Sequence, residues 1–395
     1  MQDLEDQPPE IADAALIRSV IQRVATGPEL SKDISRVEAA SVMRAILEDQ
    51  IDPVQAAVIL IGLRMKRETD EEVRGILDAL LAHTSTVTCQ SDQVISIADP
   101  YNGFNRTIQS SLFVLPVLAA CGCPAYSHGV ELVGPKYGVT HHTTLRALGA
   151  NPLLDLQSVK ALIDDPQIGW GYIDQKVFCE ALFRLNTLRR LIVKRPVLTT
   201  AEVLLTAIQG KEKTHLLTGY VHKPYRDTYI MLAKHAGLDS MLLVKGTEGG
   251  IIPSFRAHAH IVRYLKHNKG NENASIEQAE VDEELDIDLA PLNLEREYRA
   301  ENIPQGFPAA ELHPDYPGMK WDIAAVSTLC AERGRDALGG SPGATRDAVI
   351  LGAAMTLWHL GKEPDMAAAV AHCTDVVDSG EALHRLMNGL AAMQD

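Results

Sequence analysis

The sequence predicts an α/β protein in which a small all-helical N-terminal domain precedes a large domain built on a mainly parallel sheet. The first 85 residues carry apolar side chains at helical spacing, and from residue 92 onward short strand-like runs alternate with helical segments. Alternating strands and helices form parallel sheets that are covered on both faces. The length of 395 residues and the hydrophobic content of 46% provide enough core for two or three domains.

The N-terminal segment predicts three helices. Residues 36–49 place their apolar side chains on one helical face. Pro53 stands where a first-turn proline is tolerated, before the apolar run Val54 to Met65. Thr69 and Glu72 then form the sequence signature of a capping box, which predicts the start of the third helix.

The rest of the chain supplies strands and helices in alternation. Strands are predicted at residues 94–97, 124–127, 169–173, 215–218 and 241–244, and helices at 108–121, before 149, and at 344–360, 365–375 and 379–390. Residues 266–320 show little periodicity, which predicts an irregular acidic excursion. We place the helical domain at 1–88, with helices from about 176–210 packing on it, and the α/β domain at 89–175 and 211–395.

Charge is distributed unevenly along the chain. The 37 basic and 52 acidic residues give a formal charge of −15. This charge excludes a protein that coats nucleic acid or anionic membrane over its whole surface. Residues 271–301 hold 11 acidic and 2 basic side chains, whereas residues 160–270 hold 17 basic and 9 acidic ones. One interpretation is that both segments are solvated surfaces. The alternative is that the basic segment forms an anion-binding site beside a separate acidic loop.

Cysteine content and the apolar runs predict a cytoplasmic protein with no membrane partner. The six cysteines include no paired CxxC, which argues against a structural zinc site or a disulfide framework. Residues 1–10 are polar and acidic, unlike a signal peptide. No apolar run approaches the ~18 residues that a membrane span needs.

The loops that follow the strands are the candidate sites, because ligands of open parallel sheets bind beyond the carboxyl ends of the strands. Residues 99–107 contain the tight-turn dipeptide Asn102-Gly103, with Arg106, Thr107 and, further on, Ser111. The N–H groups at the start of the next helix and these polar side chains suit a phosphate. An ordinary strand–turn–helix connection is the alternative.

A second candidate loop contains His128 and Gly129 and runs to Lys136. Gly129 allows a backbone to approach a ligand closely, and Lys136 supplies a cation for phosphate. His128 is alternatively a packing residue.

A third candidate is the run of cations from Arg184 to Arg195. Either Arg189 or Arg190 would clamp a carboxylate or phosphate bidentately if it faced a cleft. A solvated basic helix is the alternative. His258 and His260 lack a third ligand, so they are a weak metal signal.

These segments, taken in order, resemble the anthranilate phosphoribosyltransferase family, also called glycosyltransferase family 3, over about residues 35–260 and 340–390. The resemblance lies in Leu63 to Lys66 and Thr69 to Glu72 (its helical domain), Ser127 to Gly129 with Lys136 and Gly138 (its Lys-His-Gly loop with the downstream Lys-x-Gly), Arg189-Arg190 with Arg195 (its Arg-Arg-x-x-Gly-x-Arg segment), Leu243 to Gly249 (its Val-Val-His-Gly-x-Asp-Gly strand and loop) and Asp378 to Leu383 (its Ser-Gly-x-Ala signature).

The resemblance implies a homodimer joined through the helical domain. It also implies that phosphoribosyl pyrophosphate, Mg²⁺ and an aromatic acceptor bind in the cleft between domains. Acceptor binding falls on Arg189 and Arg190, and no catalytic residue is assigned. Donor binding falls on Asn102, Gly103, Arg106, Thr107, Ser111, His128, Gly129 and Lys136.

The chain departs from the family pattern where the chemistry takes place. The family's Gly-Thr-Gly-Gly-Asp loop corresponds to Asp99 through Gly103, where Pro100 lacks an N–H and Tyr101 adds bulk. The metal-binding Asp-Glu pair of the family falls near Gly250-Ile251, so Glu248 is the nearest candidate ligand for Mg²⁺. These departures predict a divergent member whose acceptor is not anthranilate.

Three functions remain open at this point. The first, which we favour, is a phosphoribosyltransferase-like pentosyl transferase with a phosphorylated ribose donor and an unknown acceptor; a nucleoside phosphorylase belongs to the same class. The second is a non-catalytic nucleic-acid binder that uses a basic inter-domain groove. The third is a structural dimer whose cleft is inactive. The sequence does not decide whether the chain is an active enzyme, because fold does not fix function.

Overall fold

The computed structural model describes residues 11–27, 29–256, 258–266, 280–308, 316 and 318–394. A helical N-terminal segment packs against a seven-stranded mixed sheet with helices on its faces, which confirms the predicted fold class. The helices are α1 (Ala14–Val24), α2 (Arg36–Leu47), α3 (Pro53–Lys66), α4 (Asp70–Ala82), α5 (Val114–Ala120), α6 (His141–Ala147), α7 (Leu156–Asp164), α8 (Gln175–Phe178), α9 (Glu180–Arg184), α10 (Asn186–Ile192), α11 (Leu198–Ala201), α12 (Pro224–His235), α13 (Ile323–Leu338), α14 (Ala344–His359), α15 (Met366–Asp378) and α16 (Glu381–Ala392).

The main sheet has the strand order β4-β3-β2-β6-β7-β8-β9. Its first five strands pair in parallel, whereas β8 and β9 pair antiparallel at one edge. A separate parallel pair joins β1 to β5. The strands are β1 (Val87–Thr88), β2 (Gln93–Ala98), β3 (Ala125–Gly129), β4 (Trp170–Asp174), β5 (Ile208–Gln209), β6 (Lys213–Tyr220), β7 (Ser240–Lys245), β8 (His258–Lys266) and β9 (Glu280–Asp288).

Side-chain caps start the N-terminal helices where the sequence predicts them. The predicted capping box of Thr69 and Glu72 is present at the start of α4, and Pro53 occupies the first turn of α3. The buried Glu72 carboxylate also accepts from the backbone N–H of Ile34 at 2.9 Å and pairs with Lys66 Nζ at 2.8 Å. One side chain therefore caps α4 and ties it to α3 and to the segment before α2.

The main sheet separates two apolar cores. Alternate residues of its strands enter opposite cores: Val94 and Leu216 pack with the N-terminal helices, whereas Ile95 and Leu217 pack with α5, α14 and α16. This alternation follows from the two-residue period of a strand. Helices α8–α11 lie against the N-terminal helices, where Arg184 donates to the Leu47 carbonyl at 3.1 Å. The predicted domain boundaries stay a prediction.

Two elements differ from the prediction. The segment predicted as an irregular excursion contains β9, which pairs with β8; residues 267–279, 309–315 and 317 of it lie outside the described residues. Its acidic side chains find basic partners, such as Glu283 with Arg263 at 3.2 Å and Asp282 with Lys234 at 2.9 Å. Charges on an edge strand also oppose further pairing. In addition, the helix predicted from residue 108 begins only with a 3₁₀ turn at Ser111.

His128 and Gly129 were expected in a loop, and the structure places them at the end of β3 instead. Both residues pair in parallel with β4, where His128 lies opposite Ile173. Within the described residues, no helix combines the length and apolar character that crossing a bilayer requires.

Candidate functional site

A cavity of about 180 Å³ lies beyond the carboxyl ends of β2, β6 and β7, between the sheet and the helical segment. This is the edge at which open parallel sheets bind ligands. Its polar and aromatic lining comes from α3, from the loop after β2 and from α12, and the lining residues are Arg64, Pro100, Asn102, Arg195, Pro196, Thr199, Thr200, Val203, Thr218, Gly219, Tyr220, Val221, His222, Tyr225, Tyr229, Glu248 and Gly249.

Two arginines without an ion-pair partner among the described residues place positive charge in this cavity. Arg64 donates a hydrogen bond to the Tyr225 hydroxyl at 3.3 Å. Burial and the nearby Arg64 lower the pKa of Arg195. Among the described residues, neither guanidinium has a carboxylate within ion-pair distance. Two like charges held together in a partly buried site favour an anionic ligand.

The Glu248 carboxylate sits in a ring of hydrogen-bond donors at the edge of the cavity. The backbone N–H groups of Asn105, Arg106 and Thr107 donate to it at 3.2, 2.7 and 3.1 Å. The Thr107 hydroxyl donates at 3.2 Å and Lys136 Nζ at 3.0 Å. We call these donors of residues 105–107 and Lys136 the anion nest, because consecutive N–H groups that converge on one point bind anions.

Electrostatics keep the nest occupied by an ionised carboxylate. Burial opposes the charge of Glu248, but the Lys136 ammonium and the N–H donors of Asn105 and Arg106 outweigh it and hold the pKa of Glu248 below its ordinary value. Glu248 also adopts a left-handed backbone conformation at φ 56°. Such a conformation persists in a non-glycine residue only where the surroundings enforce it.

The loop that supplies the nest is locked against its neighbours. Asn105 Nδ2 donates to the Lys136 carbonyl at 2.8 Å, and Lys136 Nζ donates to the Gly103 carbonyl at 3.2 Å. Gly103 has φ 73°, and a Cβ there would lie 2.4 Å from the Gly138 backbone. The two predicted phosphate loops, 99–107 and 127–138, therefore meet in one rigid unit.

Ser111 belongs to a buried polar network instead of the cavity. Its hydroxyl donates to Asp99, accepts from Gln109 Nε2 at 2.8 Å and lies 3.1 Å from His141 Nε2. Asp99 Oδ1 in turn accepts from the Ile251 N–H at 3.1 Å. This network joins the end of β2 to α6 and to the loop after β7.

His128 is also directed into the protein. It is 2% exposed, and burial together with the nearby His141 lowers its pKa to about 3. The neutral ring is hydrogen-bonded at Nδ1 to the Tyr101 hydroxyl and makes an edge contact with Phe178. The packing alternative for His128 thus describes its position, and Tyr101 fills the space next to it that a glycine would leave open.

The predicted acceptor arginines occupy different environments. Arg189 is 2% exposed and forms a bidentate pair with Glu202 at 2.7 Å for both bonds, so its guanidinium faces a protein carboxylate and not the cavity. Arg190 lies near Tyr137 and lowers the pKa of that phenol against the larger effect of burial. The cavity-facing arginine of this segment is Arg195.

The described residues offer few free carboxylates as ligands for Mg²⁺. They contain no group of three His, Cys, Asp or Glu side chains able to hold a metal ion. The two nearest carboxylates, Glu248 and Asp99, are saturated by protein hydrogen-bond donors. A Mg²⁺ ion in the cleft would therefore have to arrive with the oxygen ligands of a phosphorylated substrate.

Several cavity residues were not predicted as ligands. Arg64 lies within the Leu63 to Lys66 segment that resembles the family, and Arg195 lies in the predicted cation cluster, so both left a signal in the sequence. Tyr225 and Tyr229 of α12 left none. Their distance along the chain from the loops of the site hides them from motif reasoning.

Comparisons with known proteins agree with this geometry. Residues 18–84 match the glycosyl transferase family helical bundle domain. An uncharacterised protein of Aquifex aeolicus is 28% identical over 56% of this chain and 65% of its own length. An anthranilate phosphoribosyltransferase of Anaeromyxobacter is 27% identical over 95% of this chain and 98% of its own.

The chain resembles glycosyltransferase family 3 in its helical bundle and in its sequence relatives. Solved structures show the same fold across the whole chain. The anthranilate phosphoribosyltransferase of Thermus thermophilus superimposes with a TM-score of 0.69, at 19% identity and over 96% of this chain and 99% of its own. The Saccharomyces cerevisiae enzyme, in complex with PRPP and Mg, superimposes with a TM-score of 0.71, at 14% identity and over 96% of this chain and 98% of its own. The helical bundle and the sequence relatives thus support glycosyltransferase family 3, and the solved structures show that the fold is shared.

Proposed function

We propose that this chain is a phosphoribosyltransferase-like pentosyl transferase that binds a phosphorylated ribose donor in the cavity between the helical segment and the sheet. The observation that carries the proposal is the pair Arg64 and Arg195, two arginines without an ion-pair partner among the described residues, which face the carboxyl ends of β6 and β7 across the cavity. Relatives that are anthranilate phosphoribosyltransferases support the reaction class. The acceptor stays open.

Different groups of the cavity lining suit the different parts of such a donor. The guanidinium groups of Arg64 and Arg195 suit phosphate oxygens, which they can bind bidentately. Asn102 offers an amide for ribose or acceptor groups, and the aromatic ring of Tyr229 offers an apolar surface. The chemistry would then rest on positioning and on stabilising the charge of the departing phosphate.

Calorimetry with phosphoribosyl pyrophosphate and Mg²⁺ tests this proposal. We expect binding by the wild-type chain and a loss of about tenfold or more in affinity for Arg195→Met, since a charged contact of about 1.5–3 kcal/mol is removed. Arg18→Met is the matched control, because Arg18 is exposed on α1. An absence of binding at millimolar ligand would reject the proposal, and equal affinities of both variants would place the donor elsewhere.

The nucleic-acid alternative predicts a different response in the same preparations. A long single strand bound by Arg64 and Arg195 would shift in mobility at low salt, and its affinity would fall steeply with added salt. Binding that survives moderate salt and is saturated by a small phosphorylated ligand supports the transferase proposal instead.

We also propose that the chain forms a homodimer through its helical segment. The exposed face of α3 carries Val54, Val58 and Met65, which are 71%, 37% and 74% exposed. Leu191 and Val193, at the end of the neighbouring α10, are 68% and 60% exposed. Apolar patches of this kind mark interaction surfaces in soluble proteins.

A further inference from the structure

We propose that the Glu248 carboxylate is a built-in substitute for a phosphate group: it occupies the anion nest, and an anionic ligand enters the nest only when Glu248 is withdrawn. The inference rests on the proposed function for the class of ligand, a phosphate or pyrophosphate ester. The nest itself is a property of the chain alone. It would make Glu248 a gate between the resting and the ligand-bound cleft.

The donors around Glu248 exceed what a structural carboxylate needs. Three consecutive backbone N–H groups, a hydroxyl and an ammonium converge on two oxygens that are 1% exposed. Arg106 adds a guanidinium at 3.7 Å, and that side chain is 71% exposed and free to follow a larger anion. Such a set of donors matches the three oxygens of a phosphate group.

The position of the nest connects it to the cavity. Glu248 and Gly249 line the cavity, as does Asn102 of the loop that carries the donors. Withdrawal of the carboxylate would therefore join the nest to the space next to Arg195, whose charge already acts on Glu248. A ligand with two phosphate-bearing ends could then contact both Arg195 and the nest.

The backbone of Glu248 is suited to such a movement. Its left-handed conformation at φ 56° is unfavourable for a side-chain-bearing residue, and Gly249 beside it has φ 91°. The bonds from the nest enforce this conformation in the resting state. A ligand that replaces the carboxylate in the nest removes the enforcement and allows the loop to relax.

Removal of the carboxylate should expose the nest to added anions. In calorimetry with inorganic pyrophosphate, we expect Glu248→Ala to bind about tenfold more tightly or better than the wild-type chain, because apparent affinity falls with the fraction of molecules in which the site is free. Thermal unfolding should show Glu248→Ala to be less stable, and pyrophosphate should raise its midpoint more than that of the wild type. Glu248→Gln, which keeps the shape of the side chain, should show a smaller gain in pyrophosphate affinity. It replaces Glu248→Ala in the test if the alanine variant does not fold.

Two controls separate the nest from general charge effects. Glu131→Ala removes a carboxylate that is 48% exposed and paired with Arg146 on the surface, and it should leave pyrophosphate binding unchanged. Lys136→Met in the Glu248→Ala background should abolish the gain. Equal pyrophosphate affinities of the wild type and both Glu248 variants, or a gain that survives loss of Lys136, would overturn the inference. Glu248→Ala could bind pyrophosphate while no variant binds phosphoribosyl pyrophosphate. That result would support the nest as an anion site and reject the proposed function.

Discussion

The buried pair of Arg189 and Glu202 provides a prediction that separates a structural arginine from a ligand-binding one. Arg189 is 2% exposed and Glu202 is fully buried, and two hydrogen bonds of 2.7 Å join them. Gln175 Nε2 donates a third hydrogen bond to Glu202 at 3.2 Å. Removing one partner leaves the other charge buried without compensation, which costs about 3–5 kcal/mol. We therefore expect Glu202→Gln and Arg189→Met each to lower the free energy of unfolding by about that amount.

The assay is urea unfolding followed by circular dichroism, combined with calorimetry on the folded variants. The double variant should recover most of the stability that each single variant loses, because no unpaired charge remains, and the coupling between the sites should exceed about 1 kcal/mol. An Arg189→Met variant that keeps wild-type stability and loses ligand affinity would contradict this expectation. It would show that Arg189 binds the acceptor, a role that the sequence leaves open between Arg189 and Arg190.

Three further predictions concern assembly, pH and the cavity. Val54→Asp should convert the proposed dimer into a monomer in light scattering, whereas Leu153→Asp, at a position that is 44% exposed away from α3, should not; a monomeric wild type would contradict the dimer. Burial lowers the pKa of His128 to about 3 and of His215 to about 4. The unfolded chain then binds protons that the folded one does not, so the free energy of unfolding should fall as the pH drops below about 6.5, by about 2–3 kcal/mol for each histidine at pH ~4.5. His215→Gln should flatten this dependence in denaturant titrations, and an unchanged slope would exclude His215 as a source. Arg195→Met should not lower the melting temperature in the absence of ligand, since it relieves repulsion within the cavity; a large loss would assign Arg195 a structural role.

The helices and central strands could be predicted from the sequence because local signals determine them. The capping box of Thr69 and Glu72 and the apolar runs of β6 and β7 fall where they were expected. Strand β9 was missed because acidic residues dominate it and its apolar alternation is short. Leu285 and Ile287 pack against the core, and pairing with β8 and ion pairs such as Glu283 with Arg263 stabilise the rest.

The candidate site was predictable in its location and only partly in its residues. Loops 99–107 and 127–138 meet at the expected edge of the sheet, and Lys136, which the sequence assigns to a phosphate, pairs with Glu248 at the anion nest. The occupant of the nest was not predictable, because Glu248 lies 143 residues from Asn105 and its partners are mostly backbone N–H groups. The register of α10 turns Arg189 toward Glu202, whereas Arg195 beyond the helix reaches the cavity, and sequence spacing does not reveal that difference.

We propose that this cleft receives a phosphate group in the nest that Glu248 now fills. A crystal structure of Glu248→Ala grown with pyrophosphate is the decisive experiment. We expect density for a phosphate group within hydrogen-bond distance of the N–H groups of residues 105–107 and of Lys136 Nζ. A structure in which pyrophosphate binds elsewhere, or in which the loop collapses over an empty nest, would contradict it.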